Sequence, residues 1–264
     1  MKRKSILITG AGSGIGKDSA FALAQRGHSV IATTETENQS VQLQNDADLK
    51  ELDITTFKLD ITDPHDRDLI RDHSIDVLIN NAAIGESGSL AEIDMKRVRQ
   101  NFETNVFSTF EISQIALQKM LQQDSGSILF ISSLAGRVAM PFLGPYSMTK
   151  FALSSGAEMM RNEVKRISKN VHISLIEPGG YHTGFNHRNI ARKYEWMDES
   201  SMFYHIMDSI KQEEERNFRF TEMQSTKGIV GKIVKAVESN NPKLRYSAPW
   251  WQALGVHIWR MFGK

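Results

Sequence analysis

The stretch Thr9-Gly10-Ala11-Gly12-Ser13-Gly14-Ile15-Gly16 constrains the fold more than any other part of the chain. Before it, Ser5 to Thr9 is a short apolar run ended by glycine, the pattern of a buried strand. After it, Lys17 to Arg26 has the apolar spacing of an amphipathic helix, with Gly27 as its C-terminal stop. His28 to Thr33 is a second apolar run. Strand, glycine turn, helix and strand within about thirty residues make a βαβ unit. Glycines in such a turn let the backbone approach a pyrophosphate, and the helix N-terminus offers free N–H groups with partial positive charge. A flexible loop is the alternative for the glycines alone, and the flanking strands weigh against it.

The rest of the chain repeats the rhythm. Glu37 to Leu52 is polar and reads as a short helix. Phe57 to Asp60 is a third strand with Asp60 at its tip. Asp63-Pro64 opens a helix as N-cap followed by proline. Asp76 to Ala83 is a fourth strand running into Asn80-Asn81. A long helix then runs to about Gln122 and carries Asn101 and Asn105. Ser127 to Ser132 is a fifth strand that delivers Ser132-Ser133 to the same edge. A helix from Tyr146 to about Lys169 precedes a sixth strand, Val171 to Ile176, and the loop Glu177 to Thr183. No linker, repeat or low-complexity tract interrupts the alternation. One α/β domain over residues 1–264 is expected: a doubly wound, Rossmann-type parallel sheet of about seven strands with helices on both faces.

Composition removes several chemistries. The 264 residues carry a net charge of +1, so no global field draws nucleic acid. The absence of cysteine excludes disulfides, thiolate nucleophiles and thiolate metal sites. Among eight histidines, His182 and His187 lie near each other, but neither has a carboxylate or second histidine at helical ligand spacing, so no metal is expected. His182 sits inside the Pro178-Gly179 loop, where contact with substrate is open to it. The basic start Met1 to Lys4 is followed only by Ile6-Leu7-Ile8, too short for a signal peptide, and no stretch is long enough to span a bilayer. A soluble cytoplasmic protein is the expectation.

Two local patterns point further. At the end of the second strand, Thr34-Glu35-Thr36-Glu37 should meet the adenosine ribose, with Thr34 at the reading position. No Lys or Arg occurs between Arg26 and Lys50, and carboxylates repel a 2′-phosphate, so NAD is favoured over NADP. Threonine hydroxyls and Lys17 keep NADP open, and a solvated turn is the alternative role for Glu35 and Glu37. Further on, Tyr146 and Lys150 stand four apart and share a helix face. A cation beside a phenol lowers its pKa, and acid-base work near neutrality needs a drop of roughly 3 units from ~10.

Together these residues resemble the short-chain dehydrogenase/reductase family over nearly the whole chain. Its T-G-x-x-x-G-x-G matches Thr9 to Gly16, and its N-N-A-G matches Asn80-Asn81-Ala82-Ala83, with Ala83 replacing glycine. Its Ser matches Ser133, thirteen residues before the Y-x-x-x-K at Tyr146 to Lys150. Its helix Asn matches Asn105, and its P-G-x-x-x-T matches Pro178 to Thr183. The resemblance implies an NAD(P)-dependent oxidoreductase interconverting an alcohol and a ketone or aldehyde. Tyr146 would be the general acid or base, Lys150 its partner and a ribose ligand, Ser133 the group that holds the substrate oxygen. Asn105 would hold a water in a proton relay. The cofactor would lie against Thr9, Gly10, Gly12, Ser13, Gly14, Ile15 and Gly16, against Asp60 and Ile61 on the adenine side, and against Asn81, Ala82, Ala83, Pro178, Gly179 and Thr183.

Substrate identity rests on the last third of the chain. Residues 184–226, rich in Met, Phe, Tyr and His, read as a lid, with packing or an oligomer contact as alternatives. Lys243 to Tyr246 resembles the family's last strand. In residues 249–264, Trp251, Leu254, Ile258 and Met261 form a helical stripe with Trp250 and Trp259 beside it. Lid or core packing is favoured for it over an oligomer or membrane contact. A bulky apolar substrate of steroid, retinoid or long-chain type is expected. A homodimer or homotetramer follows from the resemblance. A non-catalytic cofactor-binding regulator, and an epimerase or dehydratase using the same cofactor, are the rival readings.

Overall fold

The structure is a computed structural model and describes residues 2–262. In chain order its elements are β1 (Ser5–Ile8), α1 (Gly14–Gln25), β2 (Ser29–Thr34), α2 (Glu37–Asp48), β3 (Ile54–Lys58), α3 (Pro64–Asp68), β4 (Val77–Asn80) and α4 (Met95–Phe102). A π-helical turn, Glu103–Ser108, joins α4 to α5 (Thr109–Gln122). Then come β5 (Gly126–Ile131), α6 (Gly144–Val164), β6 (Val171–Pro178), α7 (Phe185–Lys193), α8 (Met207–Thr221), α9 (Lys227–Glu238), β7 (Arg245–Ala248) and α10 (Trp250–Met261).

The seven strands form one sheet in the order β3-β2-β1-β4-β5-β6-β7, and every neighbouring pair is parallel. The strand order reverses beside β1, so the crevice opens there between the C-terminal ends of β1 and β4. Side chains alternate across the sheet. Ile6, Ile8, Val30, Ala32 and Ile79 pack with Ala20 and Leu23 of α1 and with Ile229 and Ile233 of α9. Leu7, Leu78, Ile128 and Phe130 face the other way, onto Ile112 of α5 and Leu153 and Ala157 of α6. Both faces are therefore covered, which is why the strands read as continuous apolar runs. Each fully buried Leu or Ile contributes about 1.5–3 kcal/mol by area.

Several element boundaries differ from the sequence expectation, three of them for clear local reasons. β3 starts at Ile54 because its pairing begins at Val30↔Ile54 and ends at Thr34↔Lys58, leaving Asp60 beyond the strand. α6 stops at Val164, short of Lys169, because the Ser168 hydroxyl accepts the N–H groups of Asn170 and Val171 and starts the turn into β6. The expected long helix to Gln122 is continuous only through the π turn that carries Asn105.

The C-terminal helix corrects a larger expectation. α10 has no buried residue, and Trp250 is 73% and Phe262 76% exposed. The stripe Trp251, Leu254, Ile258 and Met261 is exposed and neither packs in the core nor lines the cleft. α10 is held instead through Gln252, which accepts from Gly180 N–H at 2.9 Å and donates to Thr221 O at 2.6 Å. Among the described residues, no helix is long and apolar enough to cross a membrane.

Candidate active site

The glycine turn follows β1 and is held by the end of β4. The Thr9 hydroxyl accepts from the N–H groups of Asn81 and Ala82, at 3.0 and 3.1 Å. The Asn81 amide donates to the carbonyls of Thr9 and Gly10, at 3.0 and 2.8 Å. Gly10 has φ +63°, and a Cβ there would lie 2.6 Å from Ala82 Cα. A Cβ on Gly16 would lie 2.4 Å from the Asn81 amide nitrogen. Thr9 and Gly16 thus shape the turn from behind; they do not line the cleft. Ser13, at the N-cap of α1, makes no side-chain cap, and the first turn of α1 has no acidic residue. Its N–H groups are free to face an anion.

From this turn a cleft of about 980 Å³ runs across the C-terminal edge of the sheet. Gly10, Gly12, Ser13, Gly14, Ile15, Asp60, Ile61, Asn81, Ala82, Ala83, Pro178, Gly179 and Thr183 all line it. Thr34 does not. It is fully buried, and its hydroxyl donates to Thr36 O at 2.9 Å. The residue after it takes the position: Glu35 lines the cleft together with Gln39. Lys17, the nearby cation in sequence, is paired with Asp46 at 2.6 Å.

Ser133, Tyr146 and Lys150 meet at the far wall of the same cleft. Ser133 leaves β5 as the N-cap of a 3-10 turn, its oxygen accepting from Ala135 N–H at 3.0 Å. The adjacent Ser132 is engaged elsewhere, 2.6 Å from Ser154 Oγ. On α6, Lys150 Nζ stands 5.6 Å from the Tyr146 ring centroid and donates to Ile131 O at 2.9 Å. Burial pushes the Tyr146 phenol up to about 12, with the Ser133 hydroxyl drawing it back down, and burial pushes Lys150 down to about 8. This corrects the expectation of a phenol lowered by its lysine. Desolvation dominates for both groups, so the phenol is held protonated and the ammonium is held weakly.

Asn105 lies behind this wall, fully buried and outside the cleft lining. Its amide accepts from Ile84 N–H at 2.9 Å, and donates to Ile84 O at 2.8 Å and to Thr149 Oγ1 at 3.1 Å. Thr149 in turn donates to Tyr146 O at 2.7 Å. Asn105 therefore positions the cleft wall and the turn that bears Tyr146, and the π turn aims it there.

The roof is α7. Phe185, Arg188, Asn189 and Arg192 line the cleft, and the Phe185 ring lies 5.5 Å from that of Tyr146. Arg192 donates to Gly85 O at 3.0 Å, and Ser87 donates to Asn189 O at 2.6 Å. α8 does not line the cleft; it supports α7 through the ion pair of buried Lys193 with Glu214. The four α7 residues were not singled out from sequence, although positions 185, 188, 189 and 192 share one helix face.

Comparison with known proteins agrees with this fold. The family profile described as short chain dehydrogenase matches residues 4–193. A 3-ketodihydrosphingosine reductase of Bacteroides thetaiotaomicron is 31% identical over 72% of this chain and 69% of its own length. The human 17-beta-hydroxysteroid dehydrogenase type 1 is 28% identical over 93% of this chain and 77% of its own. A short chain dehydrogenase/reductase from Burkholderia phymatum, solved in complex with NAD, has a TM-score of 0.82 at 19% identity, covering 97% of this chain and 92% of its own. A gluconate 5-dehydrogenase from Burkholderia cenocepacia, solved with NADP and tartrate, has a TM-score of 0.66 at 23% identity, covering 75% of this chain and 80% of its own.

Proposed function

Since this chain belongs to the short-chain dehydrogenase family and is an oxidoreductase of alcohol and carbonyl groups, we propose that Tyr146 delivers the proton in that reaction, within a cleft for a bulky, largely apolar substrate. The carrying observation is that Ser133, Tyr146 and Lys150 share one cleft wall with the glycine turn at its other end.

The cofactor is a nicotinamide dinucleotide, which supplies or takes the hydride when bound. Gly10 to Ile15 and the free first-turn N–H groups of α1 fit its pyrophosphate, and Asp60 and Ile61 fit the adenine side. Glu35 on the adenosine wall and the pairing of Lys17 with Asp46 favour NAD over NADP.

In reduction, Tyr146 donates its phenolic proton to the substrate oxygen. Burial keeps that proton on the phenol in the cofactor-free cleft. Proton transfer near neutrality requires the pKa to fall once substrate and cofactor are bound, with Lys150 as the nearby cation. Ser133 donates a hydrogen bond to the same oxygen and steadies charge as it develops. Lys150 supports the phenolate left behind. Asn105 holds Ile84 and the Tyr146 turn in place through the contacts above. Ile84, Phe185 and Ala191 give the substrate end of the cleft an apolar wall, while Arg188 and Arg192 suit a polar group at one end of the substrate. Two relatives are named for 3-ketodihydrosphingosine and for a 17β-hydroxysteroid, which supports a lipophilic substrate. Self-association across the π turn before α5 and across α6 is favoured by the exposed Phe107, Phe151 and Met159.

The test is turnover of a panel of ketones and aldehydes, from long-chain and steroidal to small polyol-derived, with NADH and with NADPH. Faster oxidation of NADH by the lipophilic members is expected. Activity confined to small polyols would overturn the substrate class. Cofactor binding without turnover across the whole panel would favour the regulator reading.

A further inference from the structure

His182, His187 and Glu222 form a cluster that the proposed reaction does not use. They come from three separate pieces: the loop after β6, the first turn of α7 and the end of α8. The backbone fixes their meeting. Tyr181 and Met223 form an isolated parallel bridge, with His182 N–H donating to Met223 O and Met223 N–H to Gly180 O, both at 2.9 Å. Glu222 is thereby pressed against the loop. His182 Nδ1 lies 2.9 Å from Glu222 Oε2, and His187 Nδ1 lies 3.7 Å from Glu222 Oε1. All three donor atoms lie within 4.8 Å of one another.

An ordinary ion pair does not account for this arrangement. The Glu222 side chain is only 5% exposed, and its Oε1 is buried with no hydrogen-bond partner. An unsatisfied buried carboxylate oxygen is costly. His187 is too far to hydrogen-bond it, and the only ion pairs Glu222 makes among the described residues are with these two histidines. Phe218 stacks on the His187 ring at 5.2 Å and holds it facing the carboxylate.

We propose that His182, His187 and Glu222 bind a divalent transition-metal ion of the zinc class and that the ion clamps α7 and α8 to the loop carrying Thr183. Two imidazoles with one carboxylate suit zinc, cobalt or nickel, whereas magnesium and calcium take oxygen ligands. With bonds of about 2.0–2.2 Å, tetrahedral ligand atoms stand about 3.4 Å apart. The separations of 2.9 and 3.7 Å fall on either side of that value, so small side-chain shifts complete the site. Both histidines are half exposed, leaving the fourth position to water. The ion is structural or regulatory. None of its ligands lines the main cleft, while the neighbouring Thr183 closes on Gly14 at the cofactor turn.

The site is testable without substrate. The full-length chain, free of any affinity tag and stripped with chelator, is titrated calorimetrically with zinc chloride and melted with and without the ion. One ion per chain and a zinc-dependent rise in Tm are expected. His187→Ala leaves the His182–Glu222 hydrogen bond in place and should weaken zinc binding about tenfold or more. Glu222→Gln, nearly isosteric, should do the same, with circular dichroism confirming the fold. Cobalt substitution should give the intense visible absorption of a four-coordinate site. Zinc affinity unchanged in both variants, or no binding to the wild type, would overturn the proposal. Tighter binding of magnesium than zinc would overturn the metal class.

Discussion

Residues 5–178 and residues 179–262 build their contacts in opposite ways. In the first region the glycine turn, Asn81 and Ser133 follow strand ends whose neighbours are set by strand pairing, and Tyr146 and Lys150 meet them from the first turns of α6. Asn81 staples Thr9 and Gly10 because β1 and β4 are neighbours in register. In the second region the links join surface loops and helices. Gln252 bridges Gly180 and Thr221, and Glu222 meets His182, without any continuous ladder to enforce them. A sheet edge tolerates almost no displacement, whereas helices tied by a few side chains can shift. On the proposed mechanism, proton transfer falls to the rigid part and substrate choice to the adjustable part.

The sharpest way to test the division is to remove the phenolic oxygen. Tyr146→Phe should lower kcat/KM about 10³-fold or more, roughly 4 kcal/mol, while fluorescence titration shows cofactor affinity retained. A loss below about tenfold would place proton delivery elsewhere.

Next in size is the turn. Gly10→Ala forces a Cβ against Ala82 Cα at a positive φ. It should cost about 2–4 kcal/mol in urea unfolding and abolish cofactor binding. A variant with native stability would mean the turn is adjustable after all.

Lys150 carries a comparable effect with a pH signature. Its folded pKa of about 8 lies below the ordinary 10.5, so between these values the unfolded chain binds more protons than the native one. Stability of the cofactor-free protein should therefore rise with pH across that window. Lys150→Met removes the effect. The variant's stability relative to wild type should fall by on the order of 3 kcal/mol from pH 7 to above pH 10.5, measured in urea. A pH-independent difference would contradict the desolvated lysine.

In the second region, Gln252→Ala should cost about 1–2 kcal/mol and raise KM for substrate more than it lowers kcat, because the loop at Gly180 loosens. An unchanged KM would uncouple α10 from the cleft. Trp250→Ser, on a side chain 73% exposed, should change stability by less than about 0.5 kcal/mol. A larger loss would show that α10 is covered in solution.

Much of the site was legible because its signals are local. The glycine turn, Ser133 and the Tyr146–Lys150 spacing each lie within a few residues of a strand end or helix start. Thr34 failed as the ribose reader for an equally local reason: its hydroxyl turns back to Thr36, and Glu35 takes the cleft wall. Phe185, Arg188 and Arg192 were missed because α7 begins after an irregular loop, where periodicity gives no register to the sheet.

The sequence by itself determined the parallel sheet, the glycine turn and the placing of Tyr146 and Lys150 on one helix face. Those depend on hydrophobic period, glycine placement and i,i+4 spacing, which a linear chain displays. Only the tertiary structure decided that Tyr146 and Lys150 are desolvated against each other, that Asn105 braces rather than lines the cleft, and that Glu222 comes to His182 and His187. Burial and long-range proximity are properties of packed elements, and residues forty apart carry no spacing that predicts them.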